Sequence, residues 1–459
     1  MFLVCCYGGL LAFLYTVPLY IHSCELYVPH KIQAMDHAFK SLHEYSERET
    51  FSSLWAEISA GIWAEGLNWE APIPSFAGRT AGKHLLMVGG SRTPVALARA
   101  QQLQVKITII DDVSVYPYIA NKLGDQLSFI AVKGFGKISI ESPQTIMKGI
   151  EAYLENGGEI PVEDQPSEKK EKKAPIKFDG VFTLVEDHGP LTSFIGEVLK
   201  LPVSPYTAAK TARSKLAVRE AMKAAGLVTP RFAVINSEDD AEAAAKHVGF
   251  PAFLKPVFGV QATFSTKVND HDELIDTLRD FQARIDTDHH PIYHYGRQMI
   301  LESLMKGSEL QLELVLMNGE FIAYSWSSEY TEKRDMLLFP PIISNERKKR
   351  LLDLAMATVK AIGLTQGIVH VELFDHEEEG PHVVEINNRL TRGFLGLNFL
   401  HQLVFGQIVI DYYGSQFLIA LGNAPLMRTR NETMLKIAVS LDDPSTEWWH
   451  VDPKDAPNR

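Results

Sequence analysis

The apolar pattern of this chain changes character once, near residue 206, and that change constrains the fold more than any other feature. Before it, short apolar strands alternate with helical stretches: HLLMVGG from His84, a helix from Pro94 to Leu103, VKITIIDD, and FDGVFTLVEDHG over 178–189. Such alternation needs crossover connections and therefore a parallel sheet. After it come the helical stretch TAAKTARSKLAVREAMKAAG, strand RFAVI, helix EDDAEAAAKHV and strand FPAFLKP. The strands MILESL, LQLELVLMNG and EFIAYSW follow, then a helix near 345–361 and the strands GIVHVELFD and PHVVEINN. These strands sit in hairpins, so their sheets are antiparallel. The expected fold is an α/β N-terminal domain with a parallel sheet, followed by an α+β domain with antiparallel sheets.

The expected boundaries follow the composition. Residues 1–24 are an apolar segment; 25–80 form a helical extension and linker; 81–205 are the α/β domain with a charged insertion at 157–177. Residues 206–422 are the α+β domain and 423–459 a tail. No Lys, Arg, Asp or Glu precedes Cys24, and residues 1–21 are long enough to span a bilayer, which makes them a candidate membrane anchor ahead of a cytoplasmic body. A secretory signal opens with a basic region, which this segment lacks; a buried helix is the plain alternative. The net charge of −12 argues against a nucleic acid partner. All three cysteines, Cys5, Cys6 and Cys24, lie in that first segment, so the folded body needs neither disulfides nor a thiolate metal site. The pair Gly89-Gly90 follows a strand, but VGGSRTP lacks the G-x-G-x-x-G spacing of a dinucleotide site.

The chemistry-bearing residues concentrate in the last two strands. In VHVELFD and VVEINNR, Glu372 and Glu385 each interrupt an apolar run. Alternation puts Glu372 on the face of His370 and Glu385 on the face of Asn387. On adjacent antiparallel strands the two carboxylates repel unless a cation joins them, and Mg²⁺ (or Mn²⁺) with nucleotide phosphates is the common solution. Asn387 adds a neutral oxygen ligand, and Arg389 suits a transferring phosphoryl group. Two solvent-facing glutamates on an edge sheet would carry the same pattern. Lys255 ends the apolar strand FPAFLKP, where a buried ammonium needs an anionic partner. Lys215, Glu302 and Glu309 read singly as surface charges; the last two together have the spacing to hold an adenine edge and ribose hydroxyls. His370 reads as a packed, hydrogen-bonded histidine rather than a ligand.

Taken in order, these residues resemble the ATP-grasp family from about His84 to Gly422, closest to carboxylate–amine ligases of the carnosine-synthase and bacterial L-amino-acid ligase kind. SPYTAAKTARSKLAVREAMKAAGLVTPRF is similar to the family's lysine helix and FPAFLKPVFG to its second-lysine strand. MILESLMKGSEL resembles its adenine hinge, and GIVHVELF with PHVVEINNRLTRG its metal-binding pair. The resemblance implies that Lys215 and Lys255 contact ATP phosphates, that Glu302, Ser303 and Leu304 line the adenine hinge, and that Glu309 binds ribose. It implies Mg²⁺ on Glu372, Glu385 and Asn387, with Arg389 on the γ-phosphate or acyl phosphate; Arg392, where the chain departs from the family, is a candidate substrate-carboxylate anchor or a surface arginine. The reaction implied is ATP-dependent amide or peptide formation through an acyl phosphate, with a small carboxylate and an amine, amino acids first among them, as substrates. Two other readings stand beside it: an ATP-grasp ligase for a purine precursor or specialised metabolite, and a nucleotide-binding protein with little turnover. The phosphate-covering loop PVFGVQATFSTKV is poor in glycine, Asn388 stands where many relatives have proline, and Thr391-Arg392-Gly393 replaces a double-glycine turn. Within SWSSEYTEKRDMLLFPPI, Glu329 and Arg334 are candidate substrate contacts or a charged hairpin tip.

Overall fold

The computed structural model describes residues 77–158 and 175–390, apart from 92, 260–261, 289, 331–335, 340–343 and 377–378, together with 2–5, 412–423 and 449–451. Most of the anchor and helical extension expected at 1–80, most of the charged insertion, Arg334, Arg392 and most of the tail lie outside these residues. Among the described residues no helix is long and apolar enough to cross a membrane.

Four parallel strands, β2 (His84–Val88), β3 (Lys106–Asp112), β4 (Leu127–Val132) and β5 (Gly180–Phe182), stand in the order β4-β3-β2-β5. Leu85 to Val88 are all fully buried because helices cover both faces, which explains why this strand reads as a continuous apolar run. One face packs Leu86, Val88 and Ile110 against α2 (Phe135–Glu141), α3 (Pro143–Glu155) and α4 (Gly189–Leu199). The other packs Leu85, Met87 and Ile109 against α1 (Pro94–Gln102), and α10 (Tyr412–Ala420) closes the same core. Val315, Ile368 and Leu390 from the second half of the chain enter that core as well.

The second half holds two antiparallel sheets, as the hairpin pattern implied. The smaller has the order β6-β9-β7-β8, from β6 (Phe232–Ile235), β7 (Ala252–Pro256), β8 (Thr266–Val268) and β9 (Met299–Ser303). Helices α7 (Ala241–Val248) and α8 (His271–Thr287) cover it with Ala244, Val248, Leu274 and Leu278. The larger is built on β10 (Ser308–Met317), β11 (Glu320–Tyr330), β13 (Gly367–His376) and β14 (Gly380–Asn387). It has the order β1-β12-β11-β10-β13-β14, with β1 (Phe2–Cys5) and β12 (Met336–Phe339) at one edge and β15 (Trp449–Val451) on β11. Leu312, Leu314, Val371 and Val383 form its buried face beneath α5 (Tyr206–Arg213), α6 (Lys215–Ala224) and α9 (Asn345–Ile362).

Two details differ from the sequence reading. The stretch TAAKTARSKLAVREAMKAAG is not one helix but α5 and α6, broken at Ser214, whose φ of −103° and ψ of 112° are extended. Ser214 Oγ caps the new helix by accepting from Ala217 N at 3.2 Å, and Lys215 N donates to Val257 O at 3.1 Å, so the break tethers the helix to the strand end after β7. The strand MILESL does not join the hairpin that follows it; β9 inserts between β6 and β7 of the smaller sheet. Gly307 makes the passage between the sheets with φ 109°, and a Cβ there would overlap the Asp375 carbonyl.

Candidate active site

The two acids of the last strands face each other. The β13–β14 register pairs His370 with Asn387, Val371 with Ile386, and Glu372 with Glu385. A register shift between Glu372 and Leu373 places Val383 and Ile386, three residues apart, both in the buried core, which re-aims Glu385. The Glu372 and Glu385 side chains retain 24% and 21% exposure, so they line an accessible surface rather than the core.

Basic groups meet them from the helix break and the smaller sheet. Lys215, first residue of α6, places Nζ 2.6 Å from Glu385 Oε1. Burial alone would raise the Glu385 carboxyl, but Lys215, Arg213 and Lys255 outweigh it and hold it at about 2. Lys255, 4% exposed on β7, has the acidic partner its burial requires: Nζ lies 2.8 Å from Glu302 Oε2. Burial pushes this ammonium below the ordinary lysine range even though Glu302 opposes the shift. Glu302 is fully buried and also accepts from Arg219 Nε at 2.6 Å and Nη2 at 3.3 Å. Those two cations overcome burial and hold its carboxyl at about 2. The side chain is thus committed to Arg219 and Lys255, and it fixes Lys255. Ser303 is engaged with Arg231, accepting from its N at 3.1 Å and donating its own N to the Arg231 carbonyl at 2.8 Å. Leu304 lies just past β9, and Glu309 is buried on β10 opposite Phe374.

A second layer of charge lies behind the acids. His370, 2% exposed, pairs through Nδ1 with the buried Glu313 at 2.6 Å and has Nε2 3.6 Å from Glu372 Oε1. Burial would lower its pKa, yet Glu313 and then Glu372 raise it to about 9, so the packed histidine expected from the sequence is an imidazolium at neutral pH. Arg389 does not point at open space: Nη2 meets Glu186 Oε2 at 3.0 Å and Nη1 donates to the Leu390 carbonyl at 3.0 Å. The sequence reading missed Arg213, Arg219, Glu186, Asp187 and Glu313. Arg213 is 3% exposed and binds Glu186 at 3.0 Å, Asp187 at 2.8 Å and the Gly259 carbonyl of the loop after β7 at 2.9 Å. The only local signal was an arginine two residues before Lys215, which helix periodicity alone reads as surface.

The donor set suits a hard divalent cation. Two register-paired carboxylates and the Asn387 amide on one strand face supply three oxygens, leaving further positions to phosphate oxygens and water, which is how Mg²⁺ is usually held. Among the described residues no group of three or more His, Cys, Asp or Glu side chains is placed to hold a metal ion.

Several known proteins are similar to this chain in sequence or fold. Residues 248–395 match the ATP-grasp domain family. D-alanine–D-alanine ligase of Pseudomonas entomophila (strain L48) is 23% identical over 283 residues, covering 57% of this chain and 85% of that protein. Human carnosine synthase 1 is 26% identical over 276 residues, covering 55% of this chain but only 32% of its own length. Among solved structures, the L-amino acid ligase from Bacillus licheniformis shares the fold with a TM-score of 0.56 at 20% identity, over 76% of this chain and 77% of that one. The chain thus carries a segment, residues 248–395, similar to the ATP-grasp domain, within a fold of parallel and antiparallel sheets shared with that L-amino acid ligase.

Proposed function

We propose that this protein is an ATP-dependent carboxylate–amine ligase that forms an amide or peptide bond and releases ADP and phosphate. The observation that carries the reading is the meeting of Glu372, Glu385 and Asn387 on one strand pair with Lys215 at 2.6 Å from Glu385. A Mg²⁺–triphosphate presents the complementary pattern: cation toward the acids, phosphate oxygens toward the lysines. Glu372, Glu385 and Asn387 would hold the ion, which neutralises phosphate charge when bound.

A substrate carboxylate oxygen attacks the γ-phosphorus, the bond to the β-phosphate oxygen breaks, and ADP leaves. An amine then attacks the acyl carbon and the phosphate departs while the nitrogen gives up a proton. No protein nucleophile is needed, so the chain's contribution is placement and charge neutralisation. Lys215 faces the phosphates from the start of α6. Lys255, fixed by Glu302, does so from β7. The segment Glu302–Leu304 supplies the backbone of an adenine hinge, and Glu309 binds the ribose. Arg389, with Arg392, serves the acyl phosphate and substrate carboxylate. The working units are an α/β domain at 81–205 and an ATP-grasp region at 206–422. Amino acids are the first substrates to test, since the related proteins named above join amino acids.

The test is a screen of amino acid pairs for ADP and phosphate production with Mg²⁺, repeated with Glu385→Ala. The reading expects release stimulated by a particular acid and amine, and its loss in the variant. Nucleotide binding without stimulated release by any pair would instead favour the low-turnover alternative, and an active Glu385→Ala protein would remove the site assignment.

A further inference from the structure

The 3₁₀ turn Glu186–His188 leaves the parallel-sheet domain at the end of β5 and reaches the strand pair that carries the acids. It is held from several sides. Thr183 Oγ1 donates to the Val88 carbonyl at 2.7 Å and accepts from Val185 N at 2.9 Å. Gly89, with φ 67°, leaves room that a Cβ would take from the His188 ring. From the smaller sheet's side, Tyr295 OH donates to the Asp187 carbonyl at 2.8 Å. Arg213 clasps Asp187 through Nε at 3.1 Å and Nη2 at 2.8 Å.

So seated, Glu186 has a side chain only 10% exposed and three partners: Arg213 Nη1 at 3.0 Å, Arg389 Nη2 at 3.0 Å, and the Asn387 amide. In the orientation that satisfies both groups, the Asn387 nitrogen donates to Glu186 Oε1 at 2.8 Å and Oε2 at 2.6 Å. An amide has one acceptor end, and committing the nitrogen to Glu186 aims the oxygen the other way. A cation can use only that oxygen.

We infer that Glu186 is a positioning residue of the ligase site, supplied by the α/β domain, which fixes the rotamer of Asn387 and the reach of Arg389. The inference rests on the ligase reading above, and extends it to a residue outside the matched ATP-grasp segment. Without the carboxylate, Asn387 is free to turn its nitrogen toward the cation, and two buried arginines lose their shared partner.

The test measures Mn²⁺ binding by electron paramagnetic resonance in the presence of β,γ-imido-ATP, alongside kcat and KM for ATP. Glu186→Gln should weaken Mn²⁺ about tenfold, the range typical of residues that orient metal ligands, and lower kcat more than it raises KM. Asn387→Asp has two equivalent oxygens and cannot be misoriented. Added to Glu186→Gln it should restore Mn²⁺ affinity; alone, facing an intact Glu186, it should weaken it. A purely structural role for Glu186 gives no such reversal. Unchanged Mn²⁺ affinity in Glu186→Gln, or a double variant no better than the single one, overturns the inference. Wild-type protein that binds no Mn²⁺ with nucleotide overturns the ligase reading itself.

Discussion

Replacing Glu302 by glutamine removes one negative charge from a site where Arg219 and Lys255 are each almost completely buried. Three charge-assisted contacts at 2.6, 2.8 and 3.3 Å are lost or weakened, and two cations remain side by side with no acid between them. Breaking a buried pair from one side costs about 3–5 kcal/mol. For a protein of this size that is a fall in Tm of roughly 3–5 °C. Arg219→Met should cost less, because Glu302 keeps Lys255. The double variant should cost at least ~1 kcal/mol less than the two single losses together, since it removes the repulsion that Glu302→Gln creates. Lys255 gives a second readout. Its ammonium is already depressed by burial and supported by Glu302, so losing that support lowers it further. Nucleotide affinity in Glu302→Gln should therefore begin to fail at a lower pH than in the wild type. Urea unfolding of the four proteins and nucleotide titrations across pH check both points. A Glu302→Gln cost below ~1 kcal/mol, or strictly additive costs, refutes the view that this acid neutralises two buried cations.

Other outcomes follow from single features. His370 has a folded pKa raised to about 9 by Glu313, so its stabilisation is complete below its ordinary value of 6.5 and is lost as pH rises through 9. The loss is on the order of 3 kcal/mol, visible as a falling urea midpoint that Glu313→Gln should flatten. Ser214→Ala removes the cap of α6 and should cost about 1 kcal/mol in urea unfolding. Gly307→Ala forces a Cβ into the Asp375 carbonyl at a φ that side chains avoid. It should cost roughly 2–3 kcal/mol, and a circular dichroism melt unchanged from wild type would contradict the stated turn geometry.

How far the sequence could be read depended on the range of the interactions. Strand periodicity is local, so the change from parallel to antiparallel sheets and the opposition of Glu372 and Glu385 were legible from residue order. The burial of Lys255 was legible because it ends an apolar strand. Its partner was not assigned, because Glu302 lies 47 residues away and reads as exposed from its own neighbours. Arg213 and Arg219 sit on short helices whose spacing gives no hint of acids contributed by the turn at 186–187 and by β9. The helix break at Ser214 escaped detection for the same reason: a lysine backbone amide leaves the helix to bond Val257, 42 residues on. Glu186 follows a strand in an otherwise unremarked loop, and only the folded register brings it to Asn387.

The shared core beneath the parallel sheet limits how this protein can be dissected. Residues 206–422 look separable on topology, yet Val315, Ile368, Leu390 and all of α10 rest against Leu85, Met87, Ile109 and Phe182. Cutting near residue 205 would uncover both sides of that contact at once, a broad oily surface prone to self-association. Fragments made to isolate residues 206–422 should therefore precipitate or recombine with the missing half, and biochemical work on this protein is best done with the two halves on one chain.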